Sequence, residues 1–203
     1  VSELIGELVA GAVSRLTVWP DGQLTTTAPT PRAVLPGAFN PLHDGHLRLA
    51  RVAEEMRQVP VAFELSVVNV DKPPLAAGDV RARLAQFAGR ARVELTRAPT
   101  FLEKSRLFPG VTFVVGADTA ERLVATRYYG DDHEAMTAAL QEMADRHCHF
   151  LVAVRADAGG RVRRLADVPI PPRFSQLFTA IPESRFRVDS SSTEIRARRA
   201  ARS

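Results

Sequence analysis

The sequence predicts an α/β fold, a three-layer sandwich in which helices cover a mostly parallel sheet of five or six strands. Two observations point there. From Arg32 onward, strand-like apolar runs alternate with segments of helical spacing, the pattern of a parallel sheet covered by helices. The chain also has 203 residues and 45% hydrophobic content, enough to fill one core, so one domain is the default.

Leu4, Ile5, Leu8, Ala12 and Val13 give a short amphipathic helix, and Leu16–Trp19, Pro20-Asp21-Gly22 and Gln23–Thr27 read as a hairpin. Residues 24–32 then read as a linker. Residues 1–31 are therefore expected to be an N-terminal arm or linker, the tail of an absent upstream domain, and residues 32–203 the main domain. The Val start adds to the expectation that sequence precedes it.

The first strand of the main domain is Ala33-Val34-Leu35, which ends in Pro36-Gly37. From Gly45 the apolar spacing becomes helical, with Leu49, Ala50, Ala53 and Met56 recurring at three and four residues. Strands are expected at Val61–Val70, Ala91–Leu95, Val111–Val115, Phe150–Val154 and Leu177–Ile181. Helices are expected at Asp79–Ala88, Phe101–Leu107, Thr119–Val124 and His133–Arg146, with a last one from about Ser191. The architecture is Rossmann-like, and such sheets bind ligands at the carboxyl ends of their strands.

Composition narrows the function classes. No run approaches the ~18 apolar residues of a membrane span, and no signal or transit segment is visible. The expectation is a soluble, cytoplasmic protein. The single cysteine, Cys148, excludes an internal disulfide framework and a multi-cysteine metal site, and reads as a small buried hydrophobe. The net charge is +4, of which the ten residues Glu194–Ser203 carry +3. This basic tail reads as a solvated helix end, with a polyanion-binding arm as the alternative. Nucleic acid is not the expected partner, and oligomeric state is left open, a homo-oligomer included.

Three constellations fall at the carboxyl ends of strands. In Gly37-Ala38-Phe39-Asn40-Pro41-Leu42-His43-Asp44-Gly45-His46 the turn delivers two imidazoles to a helix N-terminus. There, unpaired N–H groups and the macrodipole favour an anion. Three residues apart, His43 and His46 share one face, and Gly45 lets a ligand approach the main chain. Gly116-Ala117-Asp118 follows the Val111–Val115 strand. Ser190-Ser191-Ser192-Thr193-Glu194-Ile195-Arg196 sets hydroxyls and an Arg at the start of another helix, a second anion site.

The first constellation resembles the G-x-F-x-P-x-H-x-G-H signature of the nucleotidyltransferase α/β-phosphodiesterase superfamily. The last resembles the I-S-S-T-x-I-R signature of its nicotinamide/nicotinate mononucleotide adenylyltransferase branch, and Gly116-Ala117-Asp118 is similar to that branch's Gly-Ala-Asp segment. The likeness spans residues 32–198 in the expected order. The runs Asn40–His46, Asn69–Leu75 and Tyr128-Tyr129 also resemble a set of cytidylyltransferase-like proteins. Ser190 departs from the branch's usual apolar residue, and the only Trp, Trp19, lies outside the matched region.

The resemblance implies direct in-line transfer of a nucleoside monophosphate, AMP from ATP being favoured, onto a phosphorylated small molecule such as nicotinate or nicotinamide mononucleotide. Pyrophosphate leaves, and catalysis is positioning and charge neutralisation. By matching positions, His43 and His46 stabilise the α-phosphate region and Ser191, Ser192, Thr193 and Arg196 hold the β- and γ-phosphates. Gly37, Ala38 and Phe39 pack against the nucleoside, and Gly116 and Asp118 lie near base, ribose or acceptor. Mg²⁺ is the expected cofactor, carried on phosphate oxygens without a dedicated protein site. Lys72, Lys104, Tyr128 and Tyr129 are candidate acceptor contacts. A cytidylyltransferase using CTP and a non-catalytic nucleotide-binding regulatory module remain as alternatives.

Overall fold

The computed structural model describes residues 2–70, 73–156 and 162–186. Helix α1 (Ser2–Ala10) leads into a hairpin of β1 (Arg15–Val18) and β2 (Leu24–Thr25). Then follow β3 (Ala33–Pro36), α2 (Asp44–Arg57), β4 (Val61–Ser66), α3 (Ala77–Leu84) and β5 (Val93–Thr96). The second half comprises α4 (Phe101–Leu107), β6 (Thr112–Gly116), α5 (Ala117–Leu123), α6 (His133–Asp145) and β7 (His149–Ala153). A separate antiparallel pair, β8 (Arg155–Ala156) and β9 (Val162–Arg163), precedes β10 (Phe178–Ala180). The helix expected from Ser191 lies outside the described residues. Strand β4 stops at Ser66, short of the expected Val70, where the Ser66 hydroxyl donates to Val68 O at 2.7 Å and turns the chain.

Among the described residues, eight strands form one sheet in the order β10-β7-β6-β3-β4-β5-β1-β2. The six from β10 to β5 run parallel, so the sheet is mostly parallel as expected, but it has eight strands rather than five or six because the N-terminal hairpin joins it. The other two are the N-terminal hairpin, with β1 pairing antiparallel to β5 from Arg15↔Thr96 to Val18↔Val93. Counted along the chain, the parallel strands read 3-2-1-4-5-6 from β5 to β10, the doubly wound Rossmann order, whose direction of growth reverses between β3 and β6.

The period-two geometry of strands divides the core. Ala33, Leu35, Val114 and Leu151 pack on one face with Leu8 of α1, Ala53 of α2 and Val80 of α3. Val34, Phe113, Val115 and Phe150 pack on the other with Ala120 of α5 and Leu140 and Met143 of α6. Cys148 is buried in that second layer. Among the described residues, no helix is long and apolar enough to cross a membrane.

Two buried carboxylates lock the β5 side of the sheet. Glu94 accepts from Arg15 Nε at 2.8 Å, Arg92 Nε at 2.6 Å and Thr17 Oγ1 at 2.8 Å, tying the hairpin to β5. Glu64 on β4 accepts from Thr96 Oγ1 at 2.5 Å and Lys104 Nζ at 2.7 Å, and the same ammonium donates to Ala98 O at 2.7 Å. This pair pins α4 to the sheet. Removing one partner from a buried ion pair leaves the other charge uncompensated, so Lys104→Met is expected to lower the unfolding free energy by about 3–5 kcal/mol. Urea unfolding of the variant measures it, with Arg106→Ala, which breaks the exposed Arg106–Glu142 pair, as a control expected to change little.

Candidate functional site

Strands β3 and β6 are neighbours, with Ala33 opposite Thr112 and Val34 opposite Phe113. The chain leaving β3 turns to α2 on one face of the sheet, whereas that leaving β6 enters α5 on the other. Their C-terminal loops therefore part and open a crevice at the reversal of strand order. Two of the three constellations, Gly37–His46 and Gly116–Asp118, flank it.

The first loop folds over its own phenylalanine. Phe39 has a φ of 45° and is buried, its ring meeting Phe63, Phe87 and His46 edge-on at centroid distances of 5.4, 5.2 and 5.1 Å. A non-glycine residue at positive φ costs roughly 1–3 kcal/mol and persists only where its surroundings over-determine it. Gly37 is part of that determination, because a Cβ there would lie 2.7 Å from Phe39 Cε1 and Cζ. The Gly37 N–H donates to Glu64 O at 2.9 Å, which anchors the loop to β4. Beyond it Ala38 is exposed, and the Asn40–Pro41 peptide bond is cis. Gln86 and Arg83, which carry no motif in the sequence, also reach the loop: Gln86 Nε2 donates to Phe39 O at 2.9 Å, and Arg83 Nη1 to Ala38 O at 3.0 Å.

His43 caps α2 in an extended conformation, with φ −144° and ψ 166°. Its N–H donates to His46 Nδ1 at 3.3 Å. A neutral imidazole that accepts at Nδ1 carries its proton on Nε2, so this bond assigns His46 as an Nε2–H donor. The two rings stack with centroids 3.7 Å apart. Burial, then the neighbouring His43 and Arg155, push the His46 pKa down from 6.5 to about 3. That of His43 is also lowered, chiefly by burial and then by Arg155, with Asp44 opposing. Both rings thus stand neutral at pH 7. Among the described residues, His43 Nδ1 is buried without a hydrogen-bond partner. Between the histidines, Gly45 places only backbone beside the first turn of α2.

Across the crevice, Gly116 caps α5, and a Cβ at that position would lie 2.6 Å from Asp118 Oδ1. The bare glycine lets the carboxylate fold back against the strand end. Among the described residues, Asp118 Oδ1 is buried with no hydrogen-bond partner. Among the described residues, the Arg155 guanidinium is the cation beside it, its Nε 3.8 Å away. Arg155 belongs to no motif of the sequence, and its only signal there is that it is the first charge after the apolar run Phe150–Val154; in the sheet, Ala153 lies opposite Gly116. Its electrostatic reach to both histidines makes it the charge common to the two loops.

The remaining candidates are dispersed. Lys104 has its ammonium committed within the core to Glu64 and Ala98. Tyr129 is half-buried and donates its hydroxyl to Leu123 O at 3.0 Å, and burial raises its pKa. Tyr128 is exposed, with the Arg127 guanidinium over its ring at 5.0 Å. Trp19 stacks under Arg92 in the hairpin region, 4.8 Å from guanidinium carbon to ring centroid. Lys72, Ser191, Ser192, Thr193 and Arg196 lie outside the described residues.

The model of the family described as cytidylyltransferase-like matches residues 34–198, which include all three constellations. A probable nicotinate-nucleotide adenylyltransferase of Gluconacetobacter diazotrophicus is 31% identical over 156 residues, covering 76% of this chain and 59% of that protein. The chain thus spans less than two thirds of that relative's length.

The depressed His46 pKa has a thermodynamic consequence. Between about pH 6.5 and 3 the unfolded chain binds a proton at this ring that the folded chain does not. Unfolding free energy should therefore fall as pH drops through that window. Urea unfolding across the window checks the slope, which His46→Gln is expected to flatten, and NMR titration should find the His46 ring neutral down to about pH 4.

Proposed function

The chain belongs to the cytidylyltransferase-like family, and on that premise we propose that it is a nucleotidyltransferase moving AMP from ATP onto a phosphorylated small molecule such as nicotinate or nicotinamide mononucleotide. The observation that carries this reading is the pair of stacked, neutral imidazoles at the α2 N-terminus, beside the crevice where β3 and β6 part. Likeness to the Gluconacetobacter protein, a probable nicotinate-nucleotide adenylyltransferase, supports the choice of nucleotide and acceptor. So does the Ser-Ser-Thr-Glu-Ile-Arg run at residues 191–196.

In this reaction an acceptor phosphate oxygen attacks the α-phosphorus in line. The bond from that phosphorus to the bridging oxygen breaks, and the electron pair departs with pyrophosphate. An ionised phosphate needs no base, and pyrophosphate leaves as an anion, so no proton need move. The site's task is to meet charge that builds on the α-phosphate oxygens. His46 Nε2–H donates to one of these oxygens, His43 and the first N–H groups of α2 hold the others, and the Arg155 guanidinium balances the charge.

The main chain at Gly37–Phe39 packs against the nucleoside, and Gly45 admits the phosphates to the helix end. Gly116 and Asp118 face ribose, base or acceptor, while Ser191, Ser192, Thr193 and Arg196 hold the β- and γ-phosphates. Lys72 and Tyr128 are the acceptor contacts. The triphosphate would bring Mg²⁺ on its own oxygens, and the ion would supply charge neutralisation there. Among the described residues, Asp118 Oδ1, buried without a hydrogen-bond partner, is a carboxylate oxygen that would meet the ion beside those phosphates.

Pyrophosphate release with ATP or CTP against a panel of mononucleotides and other phosphorylated acceptors tests the reading. Turnover is expected with ATP and a pyridine mononucleotide. Turnover with CTP alone would reassign the base, and none with any pair would overturn the proposal. His46→Ala should lower kcat by about 10²-fold, as loss of one transition-state donor does. Arg155→Ala should also lower kcat, and wild-type turnover in that variant would remove the arginine from the site.

A further inference from the structure

The geometry points to Gln86 as the positioning residue for the histidine pair. Its kinetic consequence rests on the nucleotidyltransferase reading, and its structural consequence does not. Three backbone groups of the loop between β3 and α2 are met by side chains from the end of α3 and the 3-10 turn Ala85–Phe87 that follows it. Arg83 Nη1 donates to Ala38 O at 3.0 Å, Gln86 Nε2 to Phe39 O at 2.9 Å, and Leu42 N–H to Gln86 Oε1 at 2.8 Å. The two groups that Gln86 serves are a carbonyl and an N–H, so its site demands one donor and one acceptor on a single side chain. A carboxamide supplies both, a carboxylate only accepts, and a cation only donates. Gln86 also reaches Arg83 O at 3.3 Å, which holds it on its own turn.

The position of these bonds ties Gln86 to the imidazoles. Leu42 and His43 are consecutive, and so are their N–H bonds: Leu42 N–H ends on Gln86, and His43 N–H ends on His46 Nδ1. The peptide plane that aims the second bond adjoins, across Leu42 Cα, the plane that Gln86 anchors through the first. Losing the anchor frees His43 N–H from His46 Nδ1, and with it the tautomer that presents Nε2–H. Phe87, next in sequence, packs on the Phe39 ring at 5.2 Å. One turn thus holds both the backbone and the ring of the loop. Gln86 touches no reacting atom in this account and acts through His43 and His46.

The test uses the 203-residue chain carrying Gln86→Glu or Gln86→Met. Glu keeps the length and the acceptor for Leu42 N–H but sets a carboxylate against Phe39 O. Met keeps the bulk and removes both bonds. Long-range ¹H–¹⁵N NMR of the ligand-free protein reads the histidine tautomers, and thermal unfolding verifies that each variant folds. The expected result is that His46 loses its single Nε2–H pattern, while kcat falls about tenfold to a hundredfold with the KM for ATP within about threefold, the signature of misplaced donors. A wild-type histidine pattern in both variants overturns the inference, whatever the kinetics. A raised KM with unchanged kcat overturns it as well. If the wild-type chain turns over no acceptor, a changed histidine pattern still supports the positioning role and the failure falls on the reaction alone.

Discussion

Two parallel strands that lie side by side but send their chains to opposite faces of a sheet cannot close over their own ends. That constraint, acting where β3 adjoins β6, places everything else at the site. The β3 side contributes a helix N-terminus and the two imidazoles, and the β6 side contributes Gly116 and Asp118. The next strand outward, β7, adds Arg155 just past its end. Gly116 and Asp118 follow a strand end directly and take their place from sheet register, whereas the histidines lie beyond the loop after β3 and depend also on how that loop packs on Gln86 and Phe87.

Electrostatically the crevice is arranged around an anion that the protein itself does not supply. A guanidinium and a helix N-terminus converge on rings whose protonation is suppressed by burial and by Arg155, and for His46 also by His43. Suppressed protonation means that the site holds hydrogen-bond donors with little fixed charge of their own. The cost of burying them is then smaller than that of two imidazolium ions. His43 Nδ1 and Asp118 Oδ1, left without hydrogen-bond partners among the described residues, are the places where this arrangement forgoes internal satisfaction. Buried polar atoms are almost always paired, so each exception calls for a reason, and a catalytic role is one.

Local chemistry made much of this legible in the sequence. The strand-to-helix switch at Val34–Leu49 and the Gly-Ala-Asp turn depend on period and turn residues within a few positions, and the structure has a strand, loop and helix at each. Contacts across the chain were not legible. Lys104 sits on a short helix with Glu103 and Arg106, a pattern that reads as solvated. Only the fold places Glu64, forty residues earlier, beneath it. Gln86 and Arg83 hold carbonyls of a loop more than forty positions away, and no spacing rule encodes such a bond. The hairpin at residues 15–25 was readable as a hairpin, but its pairing with β5 is a long-range event.

That pairing also bears on how the molecule meets its own copies. Without the hairpin, Val93–Thr96 would present a row of unpaired backbone groups at the margin of a well-formed sheet, a template for strand addition by another chain. With it, the sheet tapers to β2, of two residues, at one margin and to β10, of three, at the other. Strands that short leave an incoming segment little ladder to extend. The first turns of the chain thus act as an edge guard, and their value lies as much in the associations they discourage as in the contacts they make.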